Sequence, residues 1–163
     1  MQSTSVQILF IALSFLVSVV LTIMPLPEWV STYRPEWVGL VLIYWCMALP
    51  NLVGIGIAWL LGLLVDAAKG ALLGQHALGF AITAYIAIHL HQRVRVYPLS
   101  QQMIVVGFLL LPYMSLTLWV KGIRGEAPHT WLYWAPLLSS MLLWPFVFML
   151  LRALRRQTGR QNK

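Results

Sequence analysis

The run WVGLVLIYWCMALPNLVGIGIAWLLGLLV, residues 37–65, decides how this chain folds. It carries no charged side chain from end to end, and its one break is Pro50-Asn51. Proline lacks the N–H that a helix needs and disfavours helix in the residue before it. The run therefore reads as two apolar helices, about 37–49 and 52–65, joined by a tight antiparallel hairpin. Both are shorter than the roughly 20 residues that usually cross a bilayer.

Outward from this hairpin the same pattern repeats. A first span is expected at 6–24, closed by Pro25-Leu26-Pro27, and further spans at 75–90, 103–120 and 131–151. Six spans leave short loops and a basic tail at about 152–163, so 1–163 reads as a single transmembrane domain. Residues 1–33 hold no Lys or Arg, and no small-x-small site precedes Pro25. The first span therefore reads as a retained helix and not as a secretory signal.

Composition points the same way. Of 163 residues, 60% are hydrophobic and 9% charged, with a mean hydropathy of +0.80. A soluble domain carries about a quarter charged residues, and a globule of this size cannot hide such an apolar excess. A soluble enzyme and a disordered chain are both excluded. Cys46 is the single cysteine, which rules out an internal disulfide.

Charge sets the orientation. With six spans, the side that bears the tail carries Arg93, Arg95, Arg152, Arg155, Arg156, Arg160 and Lys163, seven bases and no acid. The other side carries Arg34, Lys69, Lys121 and Arg124 with all four acids, Glu28, Glu36, Asp66 and Glu126. Basic excess marks the cytoplasm, so both termini are expected there. The net charge of +7 then belongs to a membrane edge that meets anionic lipid. No stacking platform accompanies it, and nucleic acid is not an expected partner. Trp29, Trp37, Trp119, Trp131 and Trp134 fall near span ends, as interfacial belts do.

Small residues at four-residue spacing mark helix contact faces in lipid. One row is Ser14, Ser18 and Thr22. Another is Gly54, Ala58 and Gly62, continuing to Asp66 and Gly70, and a third is Gly79, Thr83 and Ala87. Such rows either pack the bundle or dock a partner helix. Asp66 is the only acid within or at the edge of a span, about 21 Å along its helix from Leu52. It either caps or pairs locally, with Lys69 three residues on, or it meets a partner or ligand. Lys69 to His76, KGALLGQH, lacks the Gly-Lys-Ser/Thr of a phosphate loop and reads as a sharp turn. His89 and His91 are two apart and share no helix face, so no metal site is expected. Ser139-Ser140 has no His and Asp beside it, so no hydrolytic triad is expected either. Pro112 is expected to kink the fifth span. Pro145 falls deep in the sixth, where it bends a helix or breaks it at a binding cavity.

Arg34-Pro35-Glu36-Trp37, Tyr44-Trp45 and Ala48-Leu49-Pro50 resemble the rod shape-determining protein MreD family, proteobacterial type. So do Gly62-Leu63-Leu64-Val65-Asp66, Gly70 to Leu78 with Gly74 at its centre, and Leu143-Trp144-Pro145. Where relatives often carry Arg after the hairpin proline, this chain has Asn51. The resemblance implies a non-catalytic, cofactor-free, multi-pass subunit of the bacterial inner membrane. It implies a six-helix fold similar to the substrate-binding subunits of energy-coupling-factor transporters. The implied partners are MreC, MreB, RodA and penicillin-binding protein 2 of the cell-elongation machinery, which builds peptidoglycan. Arg34, Pro35, Trp37, Gly54, Ala58, Gly62, Asp66 and Gly74 are the expected partner-contact residues. The shared fold leaves a second expectation open, a vitamin-like small-molecule site fed by Asp66, Gln75, His76 and Trp37.

Overall fold

The computed structural model describes residues 2–160, with side chains over 4–157; Met1, Lys163 and the side chain of Arg160 lie outside the described residues. Among the described residues seven helices follow one another: α1 (Gln2–Ile23), α2 (Glu28–Ser31), α3 (Trp37–Ala48), α4 (Ile55–Lys69), α5 (Gln75–Val94), α6 (Leu99–Ile123) and α7 (Ala135–Arg160). A 3-10 turn, Trp131–Trp134, leads into α7, and no strand occurs among the described residues. Three helical stretches among the described residues are long and apolar enough to cross a membrane: Thr4–Ile23, Leu99–Ile123 and Trp131–Gln157.

Helix boundaries depart from the apolar runs for local reasons. α4 starts at Ile55 because Leu52 and Val53 turn back, both donating to the Leu49 carbonyl, and Gly54 is extended. It then runs past Asp66 to Lys69, where Gly70 takes the left-handed conformation (φ 61°). Ala71 N–H bonds the Asp66 carbonyl and Gly70 N–H that of Ala67, so the last carbonyls of the helix are satisfied. α5 continues beyond Leu90 to Val94, and α6 begins directly after Pro98. α6 and α7 run on through Pro112 and Pro145.

α3 forms the centre. Every residue from Val38 to Ala48 is buried, as expected of a helix that is apolar all round. At 12 residues it is only about 18 Å long, and α1, α5, α6 and α7 pack around it. The closest approach lies elsewhere, between α4 and α5, where a β-carbon on Gly62 would stand 2.1 Å from Ala77 Cα. α5 meets α6 through Gly79 against Tyr113, and the Thr83 hydroxyl donates to the Leu109 carbonyl at 3.1 Å.

Two rows of small residues are thus filled from within. Ala58 and Gly62 of α4 pack on α5, and Gly79, Thr83 and Ala87 are buried with α5 among its neighbours. The first-helix row faces α3 in part: Trp45 Nε1 donates to Ser14 Oγ at 2.8 Å, and Ser18 and Thr22 are buried.

Candidate functional site

The two ends of the bundle differ in chemistry. At one end, where α1 stops and α4 meets α5, lie all four acids. Asp66 is completely buried, and its carboxylate caps the start of α5. Oδ2 accepts from Gly74 N–H at 2.8 Å, and Oδ1 accepts from His76 N–H at 2.9 Å. His76 Nδ1 stands 2.6 Å from Oδ1. A carboxylate offers only acceptors, so Nδ1 carries the proton in this pair. The donors are orphan N–H groups of a helix N-terminus, where negative charge is favoured. Gly74 itself is left-handed (φ 100°), which aims its N–H back at Asp66.

The expected Asp66–Lys69 pair does not form. Asp66 spends both oxygens on α5, while Lys69, an exposed residue, lies on the wall of an adjoining cavity. The ion pairs among the described residues are Asp66–His76 and Arg124–Glu126.

That cavity has a volume of ≈ 650 Å³. Glu36, Gln75, His76, Tyr113, Lys121 and Tyr133 are its chief polar lining. Glu36 Oε2 accepts from the Tyr113 hydroxyl at 3.1 Å, while Glu36 N–H donates to Ser140 Oγ at 2.9 Å. Tyr133 donates to the Met114 carbonyl at 2.7 Å. Gln75, itself buried, leaves its Oε1 without a partner. Among the described residues no hydroxyl or thiol is hydrogen-bonded to His76. No group of three or more metal-ligating side chains occurs among them.

The expected contact residues disperse. Arg34 donates to the Thr22 and Met24 carbonyls and so closes the end of α1. Pro35 and Gly54 are half-buried. Trp37, expected in a ligand pocket, instead lines an apolar groove of ≈ 400 Å³ between α1 and α7, with Leu13, Val17, Phe146 and Leu150. Ala58, Gly62 and Asp66 are covered by the chain itself. The structure brings Asp66, Gly74, Gln75 and His76 together and sets Trp37 apart from them. Sequence reasoning missed Glu36, Tyr113, Lys121 and Tyr133. A phenol in mid-span beside Pro112 was the available signal, since a buried tyrosine hydroxyl needs a partner.

An all-helical bundle with three membrane-length apolar helices and a polar cavity at one end defines a small integral membrane protein. Comparison with known proteins narrows the class. The family model of rod shape-determining protein MreD matches residues 2–154. The chain is 35% identical over 147 residues to rod shape-determining protein MreD of Haemophilus influenzae, covering 88% of each. No solved structure matches it. The chain belongs to the MreD family, which bears out the resemblance read from its motifs.

Proposed function

We propose that this protein is a non-catalytic subunit of the bacterial cell-elongation complex. It crosses the inner membrane six times, with the arginine-bearing end in the cytoplasm. It binds the membrane helix of MreC and helps to couple MreB filaments inside to RodA and penicillin-binding protein 2, which build peptidoglycan outside. The observation that carries this reading is the family match along nearly the whole chain.

The α1/α7 groove is the place we assign to the MreC helix. Its lining is almost wholly apolar, and Ser14 and Ser18 keep one wall low. Small residues let helix backbones approach closely in lipid, where tight packing drives association. The small-residue face of α4 is occupied by α5, which leaves the groove and the neighbouring 34–37 segment as the docking surface. Val17→Trp, which fills the groove, is expected to abolish co-purification of MreC. Leu60→Trp, at an exposed position on α4, leaves it intact. Wild-type recovery of MreC with Val17→Trp overturns the assignment. Depletion in the native rod-shaped cell is expected to give round, widened cells; normal rods overturn the elongation role.

The unpartnered Gln75 Oε1 on the cavity wall favours a second reading, a binding subunit for a small polar molecule. Native mass spectrometry from mild detergent tests it. A bound small molecule that is lost in Gln75→Leu supports it, and ligand-free wild type counts against it.

A further inference from the structure

The ≈ 650 Å³ cavity at the acid-bearing end lies within the size range of small-molecule sites, about 300–1,000 Å³. Its wall carries charge of both signs. Lys69 at the end of α4 and Lys121 near the end of α6 both line it. They stand close enough for their charges to repel. Lys121 is held in place, with its Nζ 5.5 Å from the centre of the Tyr133 ring. That ring is anchored in turn by its hydroxyl, which donates to the Met114 carbonyl at 2.7 Å. A cation drawn to a ring face keeps its position at the wall.

Acceptors form another part of the lining. Glu36 Oε2 accepts from the Tyr113 hydroxyl at 3.1 Å, and the Tyr113 ring lies 5.7 Å from the His76 ring. Gln75 precedes His76 in the chain, so Glu36, Tyr113, His76 and Gln75 follow one another along the wall. This wall is rigid. Tyr113 stacks on Phe80 at 4.8 Å, and His76 is fixed by Asp66. Gln75 is only 6% exposed, yet its Oε1 has no hydrogen-bond partner. Buried polar groups are nearly always paired, because leaving one unsatisfied is costly. An open acceptor and a carboxylate along one wall suit a donor that carries positive charge.

The lysines suit a negative group, and the acids of the lining limit how much charge it brings. A phosphate monoester carries about −1.5 to −2 at neutral pH, and Glu36 and Glu126 in the same lining oppose it. A single carboxylate meets less repulsion. We propose that the cavity binds a small zwitterion, an amino acid or short peptide. Its carboxylate lies toward Lys69 and Lys121, and its ammonium toward Glu36 and Gln75 Oε1. This assignment rests on the small-molecule reading of the cavity and names the class of molecule that the cavity takes.

The test titrates alanine, dialanine and trialanine into the full chain purified in mild detergent, with affinity read by calorimetry. The series presents the two charged ends at three separations on minimal side chains. The expected result is binding of at least one probe. Blocking that probe by N-acetylation or by C-terminal amidation is expected to weaken it about tenfold or more, since each removes hydrogen bonds to a charged group. Gln75→Leu is expected to weaken it about tenfold as well. Gln101→Leu, at an exposed position outside the cavity, leaves it unchanged. Lys121→Gln is expected to erase the preference for the free carboxylate over the amide, a change of selectivity that loss of folding would not produce. Where Gln75→Leu does not fold, Lys69→Gln, at an exposed position, carries the comparison with the same loss of preference. Equal affinity for free and blocked probes overturns the zwitterion in favour of uncharged filling of the cavity. Failure of all three probes overturns it too. If native mass spectrometry then still finds a small molecule on the wild-type chain that Gln75→Leu loses, the small-molecule reading stands and only its chemical class falls. If it finds none, both fall.

Discussion

Asp66 does at residue scale what no neighbour in the sequence hints at. Its helix spacing offered Lys69 as a partner, three residues on. Its actual partners, Gly74 and His76, lie across a turn whose course depends on two left-handed glycines, Gly70 and Gly74. Spacing along one helix shows which side chains share a face and is silent on what the next helix brings. An amide in place of the carboxylate would aim an N–H at one of these donors and leave it unpaired. Leaving a buried donor unsatisfied costs about 1–3 kcal/mol. Asp66→Asn is therefore expected to lower the melting temperature in detergent. Lys69→Gln, at an exposed position that bonds nothing at Asp66, leaves it unchanged. Equal melting of Asp66→Asn and wild type overturns the cap.

Among elements, the α4–α5 hairpin is the tightest joint, and Gly62 sets its spacing. Any β-carbon there meets Ala77 backbone at 2.1 Å, so the helices must separate. Overpacking of this kind costs typically 1–3 kcal/mol, occasionally more. Gly62→Ala is expected to lower thermal stability, while Gly56→Ala, with open space around it on the same helix, leaves it level or slightly higher. Matching losses for the two would sink the account. The Gly54/Ala58/Gly62 row was readable from its four-residue period, but its partner was not. A small residue reports that a backbone comes close, without saying whether that backbone belongs to the same chain. α3 shows the complementary limit. Its uncharged run announced an apolar helix, yet hydropathy treats lipid and protein interior alike. Nothing in 37–48 therefore said that this short helix would be wrapped by four others.

The whole molecule is an apolar bundle with chemically opposite ends, and that asymmetry was legible from charge alone once the spans were counted. The six crossings proposed for it predict a strictly alternating exposure of the connections. Ser31, Leu72 and His129 would face outward, and Asn51, Val96 and Gln157 the cytoplasm. All six are exposed. The lone Cys46 is fully buried, so single cysteines can be added one at a time without a competing thiol. In spheroplasts a membrane-impermeant maleimide is expected to label Ser31→Cys, Leu72→Cys and His129→Cys. Asn51→Cys, Val96→Cys and Gln157→Cys are expected to react only after permeabilisation, and the wild-type chain not at all. α3 and α4 are the spans at risk, at 12 and 15 residues against the roughly 20 that a bilayer core demands. If α3 and α4 only dipped into the bilayer as a re-entrant pair, Asn51→Cys would label from outside with its neighbours Ser31→Cys and Leu72→Cys. If the whole bundle were inverted, every site would exchange sides together. The first pattern removes two crossings and keeps the cytoplasmic arginine end; the second moves that end outside and overturns the orientation.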